Sequence, residues 1–97
     1  MDLNRKIILS NKVKQKAGLS VTDMDGETVM MDIDMGKYYG FNDVGSRIWE
    51  IISQPIVASE IITILLNEFN IGKDSCTSAV LLFLNRLIED GIVEIEQ

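Results

Sequence analysis

Apolar and polar residues alternate in two stretches near the start of the chain. Residues 19–22 (Leu-Ser-Val-Thr) change character at every step, and Val29, Met31 and Ile33 share one face of residues 28–33. A period of two marks a strand with one face buried. Between the two lies Asp23-Met24-Asp25-Gly26. Asp and Gly tolerate the backbone of a tight turn, so the pattern predicts a hairpin. Asp34-Met35-Gly36-Lys37 predicts a second turn, and Tyr38-Tyr39-Gly40-Phe41 a short third strand, rich in aromatics that favour sheets. Residues 12–16 also alternate around Val13 and would extend the first strand.

After Phe41 the period lengthens. Asn42 reads as a helix N-cap, with Asp43 well placed at the positive helix end. Val44, Ile48, Ile51 and Ile52 follow at helical spacing beside Trp49, and this first helix ends near Ser53, before Pro55. A second helix is expected from Val57 to Phe69, striped by Ile61, Leu65 and Phe69, with no evident N-cap. Asn70-Ile71-Gly72 is the turn. The third helix covers Asp74 to Asp90, closed by Gly91 at C′. Residues 92–95 form a short terminal strand or extended tail. Strands followed by helices predict an α+β domain, with a three-stranded antiparallel sheet ahead of three α-helices and one domain over residues 1–97.

The third helix is more apolar than packing on one side requires. On a helical wheel Cys76, Val80, Phe83, Leu84 and Leu87 form an ordinary core face. Leu81 and Ile88 widen it on one flank, and Ala79 and Leu82, with Arg86 between them, on the other. The surplus means a second burial, a self-contact or a groove. The third strand ends the meander and exposes unpaired backbone groups along one edge. If that edge lies beside the third helix, an extended peptide could add as a strand with its side chains on the helix.

Composition narrows the chemistry. The 97 residues are 46% hydrophobic and 25% charged, a globular balance for one core with little room for a deep catalytic cleft. With no histidine, Ser-His-Asp and Cys-His sites and the commonest zinc ligand sets are excluded. The lone Cys76 cannot close an internal disulfide, and no apolar run is long enough for a signal peptide or a membrane span. A cytoplasmic location is expected. The net charge of −6 is uneven, at +4 over residues 1–16 (Arg5, Lys6, Lys12, Lys14, Lys16) and −10 over the rest. The acidic body disfavours nucleic acid. The basic arm, residues 1–16, reads as a solvated, partly frayed terminus.

Other candidate motifs fall to simpler readings. Asp23, Asp25 and Glu27 open like a calcium loop, but Thr28 and Asp34 stand where the loop needs Gly and Glu. Asp32 and Asp34 are expected on a solvated strand face. Cys76 lies on the core stripe and should be an inert thiol, and Trp49 should be core. Tyr38 and Tyr39 point to opposite faces, one into the core and one free for a ligand. No metal or cofactor is expected, and no carboxylate pair has an acid/base arrangement, so the chain is not expected to be an enzyme.

Gly36-Lys37-Tyr38-Tyr39-Gly40-Phe41-Asn42, followed by Gly45, Ile48 and Trp49, resembles the signature of the PqqD-like family. Val21, Met24-Asp25-Gly26 and Val29-Met30-Met31 upstream fit it, as do Cys76, Val80, Phe83-Leu84, Leu87 and Gly91-Ile92-Val93 downstream. The resemblance covers residues 19–95 and is nearest the stand-alone leader-binding proteins of lasso-peptide clusters. It implies a RiPP recognition element, a winged-helix-like domain in which a precursor's leader peptide docks as a strand between the third strand and third helix. It implies no catalysis, and as partners the precursor leader peptide, a cysteine leader protease and a macrolactam synthetase. Carried onto this sequence, the peptide-binding residues are Lys37, Tyr38, Tyr39, Gly40 and Phe41 on the strand, and Ala79, Leu82, Phe83 and Arg86 on the helix. Leu81 takes their place if the other flank faces the groove. Phe41 stands where the family often has Leu.

Two other functions compete. A winged-helix DNA-binding regulator would read DNA with the third helix, but Arg86 is the only cation between Asp74 and Asp90. A homo-oligomeric scaffold would use the same apolar flank, or pair edge strands into a homodimer.

Overall fold

The computed structural model describes residues 7–24, 27–33 and 35–96. The elements are β1 (Lys12–Gln15), β2 (Ser20–Met24), β3 (Glu27–Asp32), β4 (Lys37–Phe41), α1 (Asp43–Ile51), β5 (Ile56–Val57), α2 (Ala58–Glu68), α3 (Lys73–Glu89) and β6 (Val93–Glu96). The meander and the three helices predicted from periodicity are all present. Strands β2, β3 and β4 form an antiparallel sheet in that order, with Val21 opposite Met30 and Met30 opposite Tyr39. Asp25, Gly26 and Asp34, from the two expected turns, lie outside the described residues.

Residues 12–16 do not extend the first strand of that sheet. They belong to a second sheet, ordered β5-β1-β6, in which β1 is the middle strand and pairs antiparallel with both neighbours. Nothing local in the sequence points to this. The partners of β1 lie more than forty residues away, at Ile56–Val57 and Val93–Glu96. The reading of the basic segment as a frayed, solvated arm is corrected with it. Val13 is fully buried, Ile7 nearly so, and Lys16 N–H donates to Ile92 O at 2.9 Å. Arg5 and Lys6 lie outside the described residues.

The N-terminal segment also supplies the cap that α2 lacks. Val57 offers no side-chain cap, and the first N–H groups of the helix, on Ala58 and Ser59, donate instead to Asn11 O (2.9 Å) and Leu9 O (3.0 Å). Orphan donors at a helix start need such partners, and here they come from the distant segment just ahead of β1. The other two ends are local, as expected. Asn42 Oδ1 accepts from Gly45 N–H at 2.9 Å. At the end of α3, Gly91 takes φ 79°, with Gly91 N–H donating to Ile88 O and Ile92 N–H to Leu87 O, a Schellman motif.

Strand β3 is turned the other way from its hydrophobic pattern. Thr28, Met30 and Asp32 face the core, while Val29 and Met31 are half-buried and Ile33 is exposed. The solvated strand face expected for Asp32 is corrected, since its exposure is only 2%. Distant partners make the polar face burial tolerable. Thr28 N–H donates to Ser46 Oγ, Ser46 Oγ–H donates to Phe41 O, and Lys16 Nζ lies 3.5 Å from Asp32 Oδ2.

One core joins both sheets and all three helices, with Val13, Met30, Ile52, Ile61, Leu65, Leu84 and Ile92 fully enclosed. Trp49 and Cys76 belong to it, as expected. Arg47 ties α1 to α2 through a two-pronged contact with Glu68, at 2.7 and 2.8 Å. No helix among the described residues is long and apolar enough to cross a membrane.

Candidate peptide groove

Strand β4 pairs with β3 on one side only, and no described residue pairs with its other edge. Side chains of β4 reach α3. Phe41 meets Phe83 edge-on, with ring centroids 5.3 Å apart, and also packs on Trp49 at 5.8 Å. Two residues back along β4, Tyr39 comes up to Asp90 at the far end of α3. Phe41 thus meets the middle of α3, and Tyr39 its C-terminal end.

The two flanks of α3 have different fates. On one side Asn85 Oδ1 accepts from Ile7 N–H at 2.8 Å, Ile88 is buried and Leu81 is half-buried against the core. The N-terminal segment occupies this flank. On the other side Ala79 and Arg86 are exposed, and Leu82 is 74% exposed, the most exposed large apolar residue described. Half of the surplus apolar width is therefore ordinary burial and half is open surface. Leu81, the alternative wall residue, is on the covered side.

Beside the open flank a cleft of about 470 Å³ runs between the end of β4, the start of α1 and the first half of α3. Of the nine residues expected to bind a peptide, Gly40, Phe41, Ala79 and Phe83 line it. Lys37, Tyr38, Tyr39, Leu82 and Arg86 do not. Lys37 and Tyr38 are exposed along β4, Tyr38 at 71%, and Tyr39 is half-buried. The division of the tyrosines into one inward and one free is as expected. Phe41 is itself core, so it offers the groove a floor and a backbone edge.

The cleft has members that the sequence reading did not select. Val44 and Ile48 come from α1, Leu65 from α2, and Ile71 and Ser75 from around the start of α3. Gly45 lies at its base, where a Cβ would stand 3.2 Å from Phe41 Cβ and 3.4 Å from the Phe83 ring. A side chain there would press on Phe41, which would have to give by a few tenths of an ångström. Gly45 sits inside a helix, where glycine costs stability, and that misfit with propensity, beside its place in the family signature, was the available signal.

Burial pushes the Cys76 thiol up from its ordinary pKa, so it stays protonated and unreactive at neutral pH. Burial, and then the nearby Asp90 and Asp32 carboxylates, raise the Tyr39 phenol, so it stays a neutral hydroxyl. What remains is an apolar cleft continuous with an unpaired strand edge.

Comparison with known proteins bears on the family and the fold. The family model described as coenzyme PQQ synthesis protein D (PqqD) matches residues 27–93. No curated protein sequence matches the chain. Among solved structures, TbiB1 in complex with the TbiA(beta) leader peptide is similar at TM-score 0.76 and 25% identity, over 84% of this chain and 94% of that one. A lasso peptide synthetase B1 complexed with its leader peptide is similar at TM-score 0.74 and 18% identity, over 84% and 96%. The PqqD truncation of Methylobacterium extorquens PqqCD, a stand-alone RiPP recognition element, is similar at TM-score 0.70 and 13% identity, over 86% and 88%.

Proposed function

The chain belongs to the PqqD family, and from that premise we propose that it is a RiPP recognition element that binds the leader peptide of a lasso-type precursor. The leader adds as a strand along the free edge of β4, its inward side chains rest on the open flank of α3, and the bound precursor is presented to a cysteine leader protease and a macrolactam synthetase. The domain itself catalyses nothing.

The observation that carries this reading is the coincidence of an unpaired strand edge, an uncovered apolar flank and a cleft between them. Two proteins of similar fold were solved with leader peptides bound. Strand addition draws affinity from main-chain hydrogen bonds and specificity from pockets for alternate side chains. Lys37 to Phe41 would supply the first, and Ala79, Leu82, Phe83 and Arg86 the second.

The test is a calorimetric titration of the protein with the leader of the precursor encoded beside its own gene. Saturable one-to-one binding is expected, lost on scrambling the leader. N-methylating single leader amides should abolish binding at alternate positions only, because only every second amide of an added strand points at β4. Equal effects at all positions would rule out strand addition. Leu82→Ala should weaken binding about tenfold, the scale of one buried apolar side chain, and leave thermal unfolding unchanged. Absence of binding to the leader, alone or with the protease present, would overturn the function.

A further inference from the structure

Gly40 is a glycine that its own fold does not require. It lies inside β4, where glycine weakens a strand because it has no side chain to pack. Its φ is outside the left-handed region, and a Cβ built on it would meet nothing within 4 Å. Gly45, by contrast, is hemmed in by Phe41 and Phe83. A strand glycine with no local cause marks a place where another chain comes close.

The register sets where that chain would lie. Thr28 and Phe41 stand opposite each other in the β3–β4 ladder, and one hydroxyl serves both. Ser46 Oγ accepts from Thr28 N–H at 3.0 Å and donates to Phe41 O at 3.1 Å. A single oxygen reaches the two only if they point toward each other. The main-chain groups of Phe41, and of Tyr39 two residues before it, therefore face β3, and those of Tyr38 and Gly40 face the free edge.

The main chain of Gly40 lines the cleft, but the side chain it lacks would point to the opposite face of β4, the one that carries Tyr38. On that face Val29 stands opposite Gly40 and Met31 opposite Tyr38, with Thr22 beyond Val29. Val29 and Met31 are half-buried and Tyr38 is exposed, and none of these residues carries a charge. The gap over Gly40 is thus walled by Val29 and Tyr38 and open toward the free edge.

We propose that this gap is a second side-chain subsite of the groove, and that it takes an aromatic residue of the bound peptide. The residue opposite Gly40 in an added strand points to the same face as Gly40. Its ring lies across the glycine, against Tyr38 and Val29, as cross-strand rings cover edge glycines in other sheets. The next residue of the peptide, opposite Phe41, points the other way, into the cleft. The strand is gripped from both faces. This rests on the peptide-binding reading and adds to it a residue class and a position, an aromatic residue adjacent in sequence to the apolar one in the cleft.

The experiment titrates the leader of the precursor encoded beside the protein's own gene, and its single-alanine variants, into wild type, Gly40→Ala and Gly40→Val. Thermal unfolding of each protein is measured first. Both variants should unfold no earlier than wild type, because the fold leaves the space free and a strand favours valine over glycine. Gly40→Val should bind the leader about tenfold more weakly, with Gly40→Ala between it and wild type. One leader aromatic should account for the loss. Its alanine form should bind wild type about tenfold more weakly, and Gly40→Val weaker by less than about twofold. An adjacent apolar residue of the leader should cost the same against both proteins when replaced. Wild-type affinity in Gly40→Val, early unfolding of both variants, or a loss from removing the aromatic that is equal against both proteins would overturn the subsite and leave the groove standing. A leader that does not bind wild type would overturn the groove, and the subsite with it.

Discussion

The two flanks of α3 are built from the same kinds of residue and end in opposite states. Leu81, Asn85 and Ile88 are closed over by the segment around Ile7. Ala79, Leu82 and Arg86, one helical face away, are left open. The covered flank is fastened by a backbone-to-side-chain hydrogen bond as well as by apolar contact. The open flank has an apolar wall that no described residue covers and, near it, a strand edge with which no described residue pairs. A helix that must hold a domain together and also receive an extended chain can divide those duties between its sides. The comparison teaches that apolar excess is not in itself a sign of function. What identifies a surface for binding is excess that the rest of the chain leaves uncovered.

The contrast can be broken or sharpened in order of expected effect. Ile7→Ala removes the apolar side chain that closes the covered flank and should lower unfolding free energy by about 2 kcal/mol, read by urea denaturation. Asn85→Ala takes away only the acceptor for Ile7 N–H, and a cost of about 1 kcal/mol is expected in the same assay. Leu82→Ala is the counterpart on the open side, and its stability should stay within about 0.5 kcal/mol of wild type. A loss from Leu82→Ala as large as that from Ile7→Ala would mean that the open flank is core and the distinction fails. The smallest effect belongs to a site on neither flank. Arg47, by its hydrogen bonds, holds the Glu68 carboxyl below its ordinary pKa. A lowered folded-state pKa contributes stability that is complete above the unfolded-state value and fades as pH falls through the folded one. Wild type should therefore exceed Glu68→Gln slightly at neutral pH, and the gap should close as acid titrates the carboxylate, seen in melting curves from pH 7 down to pH 3.

How far the sequence reaches depends on how far apart the interacting residues are. The helix caps at Asn42 and Gly91 were legible because donor and acceptor lie within one turn of each other. The start of α2 was not, because its cap is the backbone of Leu9 and Asn11 and carries no side-chain signal. Alternation located β3 but assigned its faces the wrong way round, since Lys16 and Ser46 make room for Asp32 and Thr28 on the buried side. In the groove, the surplus width of α3 could be read from Leu81 and Leu82 together. Which of the two would be covered depended on Ile7, seventy-four residues before Leu81. The floor of the cleft, from Val44, Leu65 and Ile71, exists only once three helices have packed.

Strand β1 sits between β5 and β6, and Gln15 lies opposite Val93. On a ribosome that arrangement imposes a schedule. The residues of β1 leave the exit tunnel early and must wait, unpaired on one side, until the stretch around Val93 has followed them out. Until then Val13 has no complete sheet to sit in and α3 has no settled end. The meander and α1, by contrast, can associate as soon as Trp49 is clear. The nascent chain thus acquires its strand edge before the body behind it is sealed.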